Sequence, residues 1–177
     1  MALETRFPHM LRLVAAAAAL ALLAPPTLAP SLARADQPRV EILDYGIYET
    51  GTRTSVPMPI SVSGKMNLVA NVRLTEKTRE VMGQLGTSFG FRYRIQGVPN
   101  GANVVIRTKH PRLTNPETGK SMNYGEREQP ASPGAERYTG YSFDATYEIA
   151  EGEWSFQIIH EGRVIGEQKF KVVVPIN

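Results

Sequence analysis

Between Thr87 and Pro111 the chain reads TSFGFRYRIQGVPNGANVVIRTKHP, two alternating apolar and polar runs on either side of Pro99-Asn100-Gly101. A period of two is not a helical pattern. It buries one side of an extended chain and leaves the other wet. Phe89, Phe91, Tyr93 and Ile95 share a face of the first run, and Ala102, Val104, Ile106 and Thr108 share a face of the second. The turn residues between them predict a β-hairpin. Keeping the apolar faces together pairs Tyr93 with Ile106 and Ile95 with Val104, which sets Arg92 opposite Arg107 and Gly90 opposite Lys109.

The rest of the chain beyond residue 35 repeats this grammar. Val40–Thr50 is extended, but its apolar parity changes between Ile42 and Leu43, which predicts a bulge near Asp44. Val56-Pro57-Met58-Pro59-Ile60 has no room for a helix. Leu68–Leu74 alternates as a strand, and Thr75–Gly86, cut by Gly83 and Gly86, reads as a loop or single turn. Arg112–Arg137, rich in Pro, Gly, Asn and Ser, reads as a long loop of the functional or mobile kind. Tyr141–Ile149 alternates with Asp144 and Glu148 outward, Trp154, Phe156 and Ile158 begin another buried face, and Glu161-Gly162 turns the chain into a last strand with a bulge near Gly166. About seven strands without βαβ alternation predict an all-β fold, an antiparallel immunoglobulin-like β-sandwich.

Residues 1–35 are set apart from that fold. Arg6, His9 and Arg12 precede an unbroken apolar run, Leu13–Ala24, and Ala33-Arg34-Ala35 supplies a small-x-small cleavage pattern. Twelve apolar residues fall short of the roughly 20 that span a bilayer, so a signal peptide cleaved after Ala35 is expected, leaving 36–177 as one domain with no transmembrane segment. The expected location is periplasmic or secreted. The chain has no cysteine, so its core must hold it without disulfides. With Arg6, Arg12, Arg34 and Glu4 set aside, 17 basic and 16 acidic residues remain. That balance implies no nucleic-acid partner.

The runs RLTEKTREV, GTSFGFRYRIQGVPNGANVVIRTKHPRLTNPETGK, GYSFDATYEIAEGEW and FQIIHEGRVIGEQKFKVVVP resemble a family of exported bacterial domains of unknown function. The resemblance covers nearly all of 36–177 and implies a periplasmic or secreted sandwich. It brings no catalytic residues with it.

No catalytic motif stands out. His110 and His160 lie at strand ends outside any metal-ligand spacing, and neither a metal nor another cofactor is expected. Thr114–Ser121 ends in Gly-Lys-Ser but lacks the first glycine and the following helix of a phosphate loop. Ser61 and Ser63 fit neither G-x-S-x-G nor S-x-x-K.

Binding is the stronger class. Like charges facing each other on a sheet cost roughly a few tenths of a kcal/mol. Arg92, Arg94, Arg107 and Lys109 therefore need acids, either Asp144 and Glu148 from a neighbouring strand or an anionic partner. The 112–137 segment offers a second surface, with Arg112, Lys120, Tyr124, Arg127, Arg137 and Tyr138 at a sandwich end. The first expectation is a non-enzymatic interaction module of the cell envelope, binding an envelope protein or an anionic glycan. The alternative is a small ligand-binding protein or hydrolase-type enzyme built around His110, His160, Glu161 and that loop. A concave pocket holding both histidines and an acid would favour the alternative.

Overall fold

The computed structural model describes residues 37–175. Eleven strands lie in that span: β1 (Arg39–Glu49), β2 (Arg53–Pro57), β3 (Lys65–Val69), β4 (Arg73–Glu76), β5 (Glu80–Met82), β6 (Ser88–Gln96), β7 (Asn103–Thr114), β8 (Ser121–Pro130), β9 (Arg137–Ser142), β10 (Gly152–His160) and β11 (Arg163–Val173). One 3-10 turn, Thr146–Glu148, separates β9 from β10. One sheet runs β4-β1-β6-β9, a second runs β5-β11-β10-β7-β8, and β2-β3 form a hairpin of their own. Pairing is antiparallel throughout except between β11 and the short β5. The fold is the expected all-β immunoglobulin-like sandwich, with more strands than the seven that alternation reveals.

The expected hairpin is instead an arch. β6 bonds to β1 and β9, whereas β7 bonds to β10 and β8. The turn at Pro99-Asn100-Gly101 is real, closed by the Ala102 N–H on the Pro99 carbonyl at 3.1 Å, but it carries the chain from one sheet to the other. Alternation shows which side of a strand is buried, not which strand lies beside it. Two apolar faces can be satisfied side by side or face to face. Here they meet face to face. Phe89, Phe91 and Tyr93 of β6 are wholly buried against Val104, Trp154, Phe156 and Ile158. Phe89 stands at the centre, with the rings of Phe143, Trp154, Phe156 and Phe170 5.4–5.7 Å away and mostly edge-on.

Four further expectations change. The 112–137 stretch is not a loop: most of it is the end of β7, the edge strand β8 and the start of β9. β8 escapes notice because it is largely exposed and contains Gly125 and Pro130, as an edge strand can. Tyr141–Ile149 is a strand only to Ser142, beyond which the chain curls into the 3-10 turn. Leu68–Leu74 is broken at Asn71, whose φ of 53° lies in the left-handed region that asparagine tolerates. Within the supposed loop 75–86, β5 adds a short strand.

Other details stand. The β1 register shifts between Ile42 and Asp44, which makes the predicted bulge. The Glu161-Gly162 turn has positive φ at both residues, as two-residue hairpins favour. The last-strand bulge falls at Ile165, beside Gly166. Gly166 itself is demanded by contact: a Cβ there would lie 2.3 Å from the Val40 Cβ of the opposite sheet. The predicted leader lies outside the described residues.

Candidate functional site

The two sheets part along one side, where β9 ends the first sheet and β8 ends the second. A cleft of about 670 Å³ opens there. Its floor and walls are the inward faces of strands already paired elsewhere: Ile106, Thr108 and His110 from β7, Gly125, Arg127 and Gln129 from β8. The β2–β3 hairpin closes over it as an arm. Near the arm's base Arg53 donates to Asp144 (2.7 Å) and to Ser88 Oγ (3.0 Å), and Asn67 donates to Asp144 Oδ2 (2.7 Å). At its tip the Glu126 N–H donates to the Ile60 carbonyl (2.8 Å) and Lys120 Nζ to the Pro59 carbonyl (2.7 Å). Gly125 seats the tip, since a Cβ there would lie 3.1 Å from Met58 Cε and 3.2 Å from the Ile60 carbonyl.

The cleft has two chemically distinct ends. At one, Arg127 points inward from β8 beside Tyr93, whose hydroxyl accepts from Gln129 Nε2 at 3.0 Å. Arg127 donates to Gln129 Oε1, and Arg137, from β9, donates to Ser132 Oγ at 2.7 Å. Neither guanidinium forms an ion pair among the described residues. Partial burial pulls the Arg127 pKa below its ordinary value, and the nearby charge of Arg137 pulls it the same way. At the other end, burial keeps His110 neutral to lower pH than usual. Its Nδ1 lies 2.7 Å from the Pro111 carbonyl, an acceptor, so the ring proton sits on Nδ1 and Nε2 is a hydrogen-bond acceptor. Glu148 turns inward, where burial raises its pKa although Asp144 N–H (2.8 Å) and Ala145 N–H (3.1 Å) both donate to it. Burial, together with the nearby Glu148 carboxylate, pushes the Tyr141 phenol well above the usual range.

The arginines singled out by alternation do not form one patch. Arg92 and Arg94 lie on the outer face of the first sheet, and Arg107 and Lys109 on the outer face of the second. The juxtaposition of Arg92 with Arg107 therefore falls with the hairpin. Each of the three arginines faces an acid, though not Asp144 or Glu148. Arg92 clasps Asp44 and reaches Glu136 at 2.9 Å, Arg94 lies 3.8 Å from Glu136 and 4.0 Å from Glu41, and Arg107 pairs with its cross-strand neighbour Glu126. Tyr124 sits opposite Lys109 on the outer face. Arg112 and Lys120 are at the β7–β8 turn, Arg112 donating to Ser121 Oγ at 3.4 Å. His160 is outside the cleft. It lies beside the start of β7, with Nδ1 3.2 Å from the Asn103 carbonyl, about 20 Å along the strand from His110 at the usual rise. Among the described residues no three His, Asp or Glu gather as metal ligands.

A polar inward face on β8, Gly125-x-Arg127-x-Gln129, is the sequence signal that could have located the cleft. It was hidden because the stretch lacks the apolar alternation that announces a strand.

A solved crystal structure of an immunoglobulin-like protein (PA1606) from Pseudomonas aeruginosa shares the fold, with a TM-score of 0.58 and 25% sequence identity over 79% of this chain and 99% of that one. No match is found among curated proteins. The family model described as Domain of unknown function (DUF3859) matches residues 36–172, and the chain belongs to that family.

Proposed function

We propose that this chain is an exported binding domain of the cell envelope, without catalytic activity, whose ligand enters the cleft beneath the β2–β3 arm. The observation that carries this is the inward-facing Arg127. A guanidinium drawn partly out of water between two sheets is costly unless paired, and no carboxylate of the described domain pairs with it. A ligand that brings one would offset the cost. The cleft's volume is that of small-molecule and short-peptide sites. Export is supported by the apolar run and small-x-small pattern before residue 36, the residue at which the family match begins. The enzymatic alternative has less support: the concave site holds His110 without His160, and His110 makes its side-chain bond to a backbone carbonyl.

Native mass spectrometry of the protein, isolated without denaturation from its own envelope fraction, tests this beside Arg127→Met. The expected result is an adduct on the order of a few hundred daltons, the size such a cleft takes, present on the native protein and absent from the variant. The same adduct on both proteins, or none on either, overturns the reading.

A further inference from the structure

Seven consecutive residues of and beside β9, Glu136 to Ser142, border the cleft. Side chains of a strand alternate between its faces, so an unbroken run can border one space only if the strand presents its edge. β9 is the last strand of its sheet, bonded to β6 alone. The same holds across the cleft. Lys65, Met66, Asn67, Leu68 and Val69, the whole of β3, border it, and β3 is bonded to β2 alone. No backbone bond joins β3 to β9 among the described residues. Two strand edges therefore flank one space, neither with a further strand bonded along it among the described residues; on β3 the Lys65 carbonyl at one end already accepts from Ser63 Oγ at 2.9 Å.

From this we infer that the ligand is an extended peptide, added as a strand along β9 and under β3, with a carboxylate held by Arg127 and Arg137. The inference rests on the cleft being the binding site. Bare edges invite a strand, and main-chain bonds to such an edge give affinity that depends little on sequence. β9 offers six residues of edge. The arginines at its first end supply the charge complement: Arg137 opens β9, and Arg127 faces it from β8. Arginine's fork suits a carboxylate, whether a chain terminus or an Asp or Glu side chain. Inward-pointing charge on an edge strand also deters pairing with further copies of the chain. In a cleft roofed by the arm, the same charge selects which strand may enter.

The chain's only tryptophan provides the readout. Trp154 is fully buried with its ring 5.0 Å from His110 and 4.9 Å from Tyr141, both of which line the cleft. The protein is titrated, by Trp154 fluorescence, with an equimolar pool of random hexapeptides bearing free C-termini. Parallel titrations use the same pool amidated, the same pool N-methylated at alternate residues, and glutarate as a small dicarboxylate. The expected result is saturable binding of the free-acid pool, at least tenfold weaker for the N-methylated pool and for the Arg127→Gln variant, with glutarate ineffective. If amidation costs at least tenfold the carboxylate is a chain terminus, and if it costs little the carboxylate is an Asp or Glu side chain. Binding of glutarate as tight as the peptides, or indifference to N-methylation, overturns the strand inference and leaves the cleft reading standing. No response to any probe, by fluorescence or by calorimetry, overturns both.

Discussion

Arg92 and Arg127 are the same residue type on strands of one sandwich, and they stand in opposite electrostatic states. Arg92 lies on the outer face of β6 with Asp44 against it on one side and Glu136 on the other, and its neighbour Tyr48 donates its hydroxyl to the same Asp44. Arg127 points between the sheets, bonded to a neutral amide and facing another cation. The first arrangement is complete within the chain. The second holds no acid among the described residues. The comparison separates an arginine that stabilises a fold from one that the fold tolerates.

Breaking the first arrangement should cost the most. In Asp44→Ala, Arg92 loses its closest carboxylate and the buried Tyr48 hydroxyl loses its acceptor. A loss of about 1–3 kcal/mol is expected from an unpaired buried donor, read as a lowered urea midpoint at unchanged slope. Acid titration sharpens the point. Hydrogen bonding to Arg92 holds Asp44 below the ordinary carboxylate range, so its contribution is present above the unfolded value near 3.9 and lost as pH falls through the lowered folded value. Asp44→Asn should be less stable at neutral pH and lack that part of the acid limb. Equal acid limbs in the two proteins would mean the Arg92–Asp44 contact contributes nothing.

The matching change at the other arginine should have the opposite sign. Arg127→Met keeps the apolar stem and removes a partly desolvated charge, so stability should stay level or rise by up to about 1 kcal/mol, while ligand binding is lost. A destabilisation as large as that of Asp44→Ala would mean Arg127 is a structural member of the fold, and the contrast would collapse.

Which parts of this were legible in the sequence follows from the same contrast. The buried faces of β6, β7 and β10 could be read from Phe89-x-Phe91-x-Tyr93, Val104-x-Ile106 and Trp154-x-Phe156-x-Ile158, because a face against a core must be apolar. The bulge at Asp44 was legible because parity slips there. The partners of those faces were not, since an arch and a hairpin satisfy the same alternation. β8 was illegible for a different reason. Its inward residues, Gly125, Arg127 and Gln129, face a cleft rather than a core, and the rule that detects strands assumes a core. The site lies where the pattern fails.

His110 tests the far end of the cleft with a smaller effect. Burial depresses its pKa below the ordinary 6.5, so the unfolded chain takes up a proton before the folded one does. Stability is full above about pH 6.5 and declines as pH falls from there through the depressed folded value. His110→Gln should flatten the wild-type curve in that window, His160 being common to both proteins. Trp154 fluorescence should fall with the same midpoint as the adjacent imidazole, 5.0 Å away, gains its charge. A midpoint at or above 6.5 would show that the ring is solvated, and that this end of the cleft is open water.

Arg94 marks the lower bound of the comparison. Its guanidinium lies 4.0 Å from Glu41 and 3.8 Å from Glu136, with all three side chains 39–47% exposed. At such distances and exposure the attraction is screened, and holding long side chains in place offsets much of it. Arg94→Gln should therefore change stability by no more than about 0.5 kcal/mol, and 0.5 M salt should erase even that difference. Arg92, two residues away on the same face and sharing Glu136, should keep its effect in salt because Asp44 is largely shielded from solvent. Three arginines then fall in order, a clasped one that stabilises, a fringe one that is neutral and an inward one without an acid among the described residues. Equal salt sensitivity at Arg92 and Arg94 would undo that order, because it would make the outer face a single solvated charge cloud.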